Sequence, residues 1–358
     1  MEEGRSLSCL IAAGGTAGHV LPAIAVADAL VERGVRVTFA GSPERVEARL
    51  VREAGYEFDG FAVSGFPRRI GVALARAGVT ALRAPVACRS ILRRRRPDVV
   101  LGGGGYVAGP MVLAAWTERI PSAVTEADAH LGLANRLAVP FAERVFLSYP
   151  IEGRAESKYR VVGRPIPSRS LPVPRDEARS EFGLPVEGRV LIVAGALAGA
   201  RSLNEAAVEA FAAEGPTVLH LTGERDFELV RSRVTRDDYL VLPSTEHFGA
   251  ALSAADLALA RAGGTVWEIA AAGLPAVLVP YPHATGDHQT QNASYFEHAA
   301  GAIVLPDEEL DRAGAVVRAL IEDDEKLEAM REAMLGAAKP HAADEIAEEL
   351  VRLASARR

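Results

Sequence analysis

The chain has 358 residues, 49% of them apolar and 24% charged, with a net charge of −7. That length suits two α/β domains with separate cores, and the acidic balance without a reader motif argues against a nucleic-acid partner. Two cysteines, Cys9 and Cys88, offer neither a disulfide framework nor a metal knuckle, which fits a reducing cytoplasm.

The short polar start, Met1 to Ser6, does not read as a signal peptide, and no apolar run reaches the roughly 18–20 residues of a bilayer span. A strand is predicted over 7–13. It breaks into Gly14-Gly15-Thr16-Ala17-Gly18-His19 and then into a helix over 19–33. A strand, a glycine turn and a helix start bring backbone N–H groups and the positive end of a helix dipole to one point, which suits an anion. An imidazole on the same turn adds a group that can move a proton.

A strand over 35–40 and a helix over 43–54 follow. Between Phe61 and Pro97 there is no acidic residue, while Arg68, Arg69, Arg76, Arg83, Arg89 and Arg93 to Arg96 alternate with apolar positions. Such a basic, helix-compatible stretch suits an anionic membrane surface. A solvated helix face in an arginine-rich protein is an equally good local reading. The buried strand 98–101 ends in Gly102-Gly103-Gly104-Gly105-Tyr106, and short strands are predicted at 121–125 and 144–147. Glu126, Asp128 and His130 alternate as metal ligands could, but a polar loop is the better reading. Pro- and Arg-rich sequence over 162–175 reads as a linker.

The second half restarts in the same way. A strand over 189–194 meets the small-residue loop Gly195-Ala196-Leu197-Ala198-Gly199-Ala200 and a helix over 202–213, with further strands at 217–222, 256–260 and 276–280. Alternating strands and helices, opened twice alike, predict two Rossmann-like parallel-sheet domains facing across a cleft, with ligands at the carboxyl ends of the strands. Neither opening is G-x-G-x-x-G, so a nicotinamide dehydrogenase is disfavoured. There is no P-loop and no Asp-x-Asp pair to hold a metal against a diphosphate.

The densest signal is Arg261 to Pro275, in which Gly263, Gly264 and Thr265 are expected at a helix N-terminus, able to bind a diphosphate leaving group without metal. Glu268, one turn in, can accept two hydrogen bonds from ribose hydroxyls; the plainer reading is a carboxylate complementing the helix dipole. The loop Tyr281 to Ala293 crowds amide and imidazole groups that suit sugar hydroxyls. A plain loop with Asp287 as an N-cap is the alternative.

These stretches, together with Pro97 to Pro110, Gly132 to Ala138 and Gly199-Ala200-Arg201 with Asn204, make the chain resemble the MurG family of bacterial peptidoglycan N-acetylglucosaminyltransferases, of glycosyltransferase family 28. The resemblance runs nearly the full length. It implies a GT-B fold and inverting, metal-independent transfer of GlcNAc from UDP-GlcNAc to undecaprenyl-diphosphate-MurNAc-pentapeptide, lipid I to lipid II. It also implies peripheral attachment through 68–96 to the anionic cytoplasmic face of the cell membrane, in a cell-wall synthesis complex. His19 would be the general base, kept neutral by the helix dipole, or the group that positions the acceptor hydroxyl. Thr16, Ala17 and Gly18 would approach donor and acceptor diphosphate. Gly263, Gly264, Thr265, Val266 and Trp267 would hold the UDP phosphates and Glu268 the ribose. The backbone near Thr245 would read uracil, and His288 and Gln289 the GlcNAc hydroxyls.

Three stretches depart from the family pattern. Thr125-Glu126-Ala127-Asp128 replaces His-Glu-Gln-Asn, Gly163-Arg164-Pro165-Ile166-Pro167 replaces Gly-Asn-Pro-Val-Arg, and Gly195-Ala196-Leu197-Ala198-Gly199 replaces Gly-Gly-Ser-Gln-Gly. Asp128, Arg164 and Leu197 are thereby expected to contact substrate in place of the family's residues. The expected boundaries are 1–161 for the acceptor domain, 162–175 for the linker and 176–340 for the UDP-sugar domain. A helix over 341–358 would pack back on the first domain. A related GT-B transferase with another lipid or metabolite acceptor, or a weakly active paralogue acting as a scaffold, remain alternatives.

Overall fold

A computed structural model describes residues 6–63, 72–154, 157–195 and 199–356, without the side chains of residues 72–82 and 285. The chain divides into two units: Met1–Pro167 with Pro340–Arg358, and Ser168–Lys339.

In the first unit strands and helices alternate. They run β1 (Ser8–Ala12), α1 (Ala17–Glu32), β2 (Arg36–Gly41), α2 (Val46–Glu53), β3 (Glu57–Gly60), α3 (Val72–Arg95), β4 (Val99–Gly102), α4 (Ala108–Thr117), β5 (Ser122–Glu126), α5 (Leu133–Ala138), β6 (Arg144–Leu147) and β7 (Tyr159–Val161). The sheet order is β3-β2-β1-β4-β5-β6-β7, and its paired strands are parallel. The central strand β1 is buried on both faces, as a doubly covered parallel strand must be. Cys9 and Ile11 join the core under α1; Leu10 and Ala12 join the core under the opposite layer with Cys88, Leu92 and Met111.

The second unit repeats the pattern with α6 (Arg175–Glu181), β8 (Val190–Ala194), α7 (Arg201–Phe211), β9 (Thr217–Leu221), α8 (Phe227–Arg233), β10 (Tyr239–Leu242), α9 (Phe248–Ser253), β11 (Leu257–Arg261), α10 (Val266–Ala271), β12 (Ala276–Val279), α11 (His288–His298), β13 (Ala302–Val304), α12 (Ala313–Ile321) and α13 (Asp324–Ala337). Its parallel sheet has the order β10-β9-β8-β11-β12-β13. The last helix, α14 (Ala342–Ser355), belongs to the first unit, where Ile346, Ala347, Leu350 and Ala354 enter the core beneath α1.

In each sheet the strand order reverses once, between β1 and β4 and between β8 and β11. A crevice opens at such a switch point because the flanking connections leave on opposite faces. The two glycine-bearing openings therefore stand at the two places where an open α/β sheet binds ligands.

Two expectations change. The stretch predicted as a linker is partly packed: Val162 continues β7 by donating its N–H to Leu147, and Val162, Arg164 and Ile166 are buried, so the division falls at Pro167. The basic segment is less bare than its sequence suggests. Arg89 and Arg93 pair with Glu118, and Arg94 and Arg95 with Asp59, acids that lie outside 61–97 and converge on it only in the fold. Arg68 and Arg69 lie outside the described residues. Among the described residues no helix is long and apolar enough to cross a membrane.

Candidate active site

Thr16 is the N-cap of α1, in an extended conformation. A capping threonine ordinarily takes a backbone N–H of the first turn. Here its hydroxyl instead meets Nδ1 of His19 at 3.2 Å. In the tautomer whose Nδ1–H donates to Thr16, Nε2 carries the basic lone pair; in the other tautomer the hydroxyl donates and Nε2 carries the proton. The glycine run after β4 explains how the ring is seated. Gly104 has φ +98°, and a Cβ there would lie 2.6 Å from His19 Cδ2. Gly105 has φ +74°, and its Cβ would fall on the Gly14 carbonyl oxygen. The second loop thus serves as a side-chain-free wall against which the histidine loop packs.

Arg164 is buried and donates to the Gly18 carbonyl. Gly18, His19, Thr125, Glu126, Ser148 and Arg164 line one small pocket. The sequence-predicted Thr16, Ala17, Gly18, His19 and Arg164 are therefore brought together.

Glu126 organises the loop beyond β5. Its buried carboxylate accepts N–H groups of Asp128 (3.2 Å) and Gly132 (2.9 Å) and the Asn135 amide (2.9 Å). Burial pushes its carboxyl above the ordinary value, against those three hydrogen bonds and with a further rise from the Asp128 charge. The alternation of Glu126, Asp128 and His130 is thus that of a self-satisfied polar loop. Among the described residues no group of three His, Cys, Asp or Glu side chains could hold a metal ion.

In the second unit Thr265 is the N-cap of α10. Val266 and Trp267 are wholly buried, Trp267 edge-on to Phe296 at 5.3 Å. Their N–H groups close the first turn on the Gly263 and Gly264 carbonyls, each at 3.2 Å. Val266 and Trp267, expected to hold phosphate, thus have their backbone N–H groups engaged within the turn. Among the described residues no backbone–backbone hydrogen bond is made by the N–H groups of Gly264 and Thr265 at this turn. Glu268 is half-buried one turn in. Gln289 accepts the Tyr281 N–H at 2.9 Å through Oε1, which turns its amide nitrogen toward Gly263, 3.7 Å from where a Cβ would stand. His288 opens the same helix. Asp287 sits at the N-cap position with φ +53°, but its carboxylate takes the Thr290 hydroxyl (2.7 Å) rather than a helix N–H. Thr245 accepts the His247 N–H at 3.0 Å beyond β10. Leu197 lies outside the described residues.

Arg261 ties this end of the sheet together. Its buried guanidinium donates to the Val279 and Pro280 carbonyls at 3.2 Å, to the Ser202 hydroxyl at 2.6 Å, and pairs with Asp307 at 2.6 Å. Behind the other opening, Asn204 donates to the Thr222 carbonyl (2.9 Å) and accepts from Nε2 of His220 (3.0 Å), whose Nδ1 accepts from Tyr239 (2.9 Å). Burial drives His220 down to about 3, and Arg225 and Arg201 beside Asp226 bring that carboxyl to about 2 despite its burial. For His220 the unfolded chain takes up a proton below its ordinary 6.5 whereas the folded one does not until about 3, so stability falls as pH drops through that window. Asp226 adds a further loss between its ordinary 3.8 and about 2. His220→Gln is expected to flatten the acid side of the melting-temperature profile between those first two values; an unchanged slope would exclude His220 as its source.

Comparison with known proteins agrees with this geometry. Residues 9–147 match the glycosyltransferase family 28 N-terminal domain, and residues 189–349 the C-terminal domain. A protein of Acidithiobacillus ferrooxidans named UDP-N-acetylglucosamine–N-acetylmuramyl-(pentapeptide) pyrophosphoryl-undecaprenol N-acetylglucosamine transferase is 42% identical, over 97% of this chain and 98% of its own. One of the same name from Halothermothrix orenii is 36% identical, over 92% and 94%. The crystal structure of Acinetobacter baumannii MurG superposes with a TM-score of 0.77 at 27% identity, over 97% of this chain and all of that one. The chain belongs to the MurG family of glycosyltransferase family 28.

As a MurG-family glycosyltransferase it has the GT-B architecture, its seven- and six-stranded parallel sheets corresponding to the two domains of that fold. Sequence reasoning passed over several of its site-building residues. Asn135 and Glu126 shape the loop holding Asp128, and Arg261 anchors the turn at Gly263. Their signal in sequence was only membership in the motif stretches. A side chain that bonds backbone looks the same in sequence as one that bonds substrate.

Proposed function

We propose that the chain transfers GlcNAc from UDP-GlcNAc, with inversion and without a metal, to the MurNAc hydroxyl of undecaprenyl-diphosphate-linked MurNAc-pentapeptide. The observation that carries this reading is the division of labour between the two switch points: an imidazole oriented by Thr16 at one, a glycine turn with Glu268 and Gln289 at the other. Relatives of that name, 36–42% identical over more than nine-tenths of the chain, support it.

In the proposed step the acceptor hydroxyl oxygen attacks C1 of GlcNAc and the bond from C1 to the UDP oxygen breaks. Nε2 of His19 takes the hydroxyl proton, and the electron pair leaves with UDP. The charge that develops on the diphosphate is stabilised by the Gly264 and Thr265 N–H groups and the dipole of α10. Glu268 holds the ribose, His288 and Gln289 the sugar hydroxyls, and the backbone near Thr245 the uracil. Ala17, Gly18 and Arg164 serve the acceptor diphosphate. Incubation with UDP-GlcNAc and a soluble lipid I analogue should give UDP and the disaccharide product in equal amounts. Intact UDP-GlcNAc binding without product would overturn the reading. The buried Arg164, which lines one pocket with His19, and Asp128, which stands where the family pattern has asparagine, favour as second reading a GT-B transferase with a different acceptor.

The same reading places the protein on the cytoplasmic membrane face, within a cell-wall synthesis complex. Supporting it, neighbouring helices α3, α4 and α5 expose Val86, Trp116, Leu133 and Leu137, alongside Arg93 and Arg94. Co-sedimentation with anionic liposomes is expected to fall several-fold when Arg93 to Arg96 are replaced by glutamine. It should fall further with Trp116→Ser. Binding that survives both would remove this surface from consideration.

A further inference from the structure

Glu47, in the first turn of α2, is wholly buried, yet the chemistry above gives it no part. Its carboxylate lies between two strand ends of the first sheet. Oε2 accepts the N–H of Gly15 and Oε1 that of Ser42, each at 3.2 Å. Two absent side chains make room for it: a Cβ on Gly14 would stand 2.5 Å from Oε1, and one on Gly41 3.1 Å from Cγ. On the far side of the turn the Tyr106 ring would lie 3.2 Å from a Cβ on Gly15. The turn is thus gripped between a carboxylate and a phenol ring.

This arrangement alters what the glycine turn does. The Gly15 N–H is spent on the Glu47 carboxyl group, so it is not offered to an anion. What the grip fixes instead is direction. Gly15, at φ +91°, delivers the chain into the extended Thr16, whose hydroxyl holds Nδ1 of His19. We propose that Glu47 is a positioning residue for transfer, pinning the Gly14–Thr16 turn so that the His19 imidazole points at the acceptor hydroxyl. The proposal rests on the transferase reading for its kinetic consequence, though not for its geometry.

Glu47→Gln keeps the shape but sets an amide NH2 against one of the two backbone N–H groups. It should lower kcat about 10–100-fold, as a displaced catalytic group does, with KM for UDP-GlcNAc changed by less than about twofold. Gly14→Ala leaves the carboxylate in the chain but drives a methyl into Oε1, and should reproduce the effect even if Glu47→Gln fails to fold. The double variant should lose no more than the worse single, because both act through the same seated carboxyl group. The His19 imidazole resonances, assigned by their loss in His19→Ala, should move in both variants while those of His288 stay. A carboxylate that matters only for folding would lower the melting temperature and leave folded protein with native kcat and unmoved His19 resonances; that outcome overturns the proposal. If the unsubstituted protein makes no product, the transferase reading fails, and the His19 resonances alone decide the role of Glu47.

Discussion

His19→Ala is expected to lose transfer by about 10²–10⁴-fold, the range over which a positioned general base acts, while UDP affinity stays nearly unchanged. The two halves of this expectation have separate sources. The proposed base belongs to the first unit, seated against Thr16 at 3.2 Å and the bare wall of Gly104, so on this reading its removal deprives the acceptor hydroxyl of a proton sink. The UDP groups are assigned to Gly264, Thr265 and Glu268 in the second unit, which the substitution does not touch. Single-turnover measurement of product beside calorimetric titration with UDP separates the two. A variant that turns over normally would remove His19 from the mechanism. One that loses UDP binding along with turnover would show that the first unit contributes to the nucleotide site. Thr16→Val should give a smaller loss in the same direction, since it frees the ring to rotate without removing it.

Glu268→Ala is expected to act on the other side of the reaction, weakening UDP by about 100-fold or more. Hydrogen bonds to a charged group contribute about 1.5–3 kcal/mol each. Two ribose hydroxyls on one carboxylate, at about 1.4 kcal/mol per tenfold, reach that size even after allowance for the partial exposure of Glu268. Glu268→Gln, which keeps one acceptor oxygen, should fall between. Under saturating donor both variants should recover much of their kcat, because the ribose is remote from the breaking bond. If calorimetry instead gives native UDP affinity, Glu268 serves the helix dipole alone.

The parts of the fold visible in sequence were its buried interior. The strands read from apolar runs (β1, β2, β4, β5, β6, β8, β9, β11 and β12) each have neighbours on both sides in the sheets. The four that escaped notice, β3, β7, β10 and β13, are the edges of the two sheets. Glu57-Phe58-Asp59-Gly60 and Tyr159-Arg160-Val161 carry polar residues because an edge strand is half in water, and a half-wet strand of three or four residues leaves no periodic trace. The site was legible for a similar reason and to a similar extent. Glycines followed by a helix announced both switch points, and His19 and Glu268 stood out as titratable groups on them. A helix N-terminus advertises N–H groups without saying which of them, as at Trp267, also close its own first turn. Glu47 was invisible, since an acid in a first helical turn ordinarily reads as a partner of the dipole.

The return of α14 to the first unit bears on how the protein is made. When the ribosome has delivered residues up to Pro167, every strand of the first sheet is present, but the apolar stripe of α1 still lacks Ile346, Ala347, Leu350 and Ala354. Roughly 170 further residues, an entire second unit, must emerge before that stripe is covered, at about 5–20 residues per second a wait of about ten to thirty seconds. The second unit, contiguous in sequence, faces no such delay. Synthesis and folding order are therefore inverted here: the unit made first is the one completed last, and in the interval an uncovered helix face is what a chaperone would find.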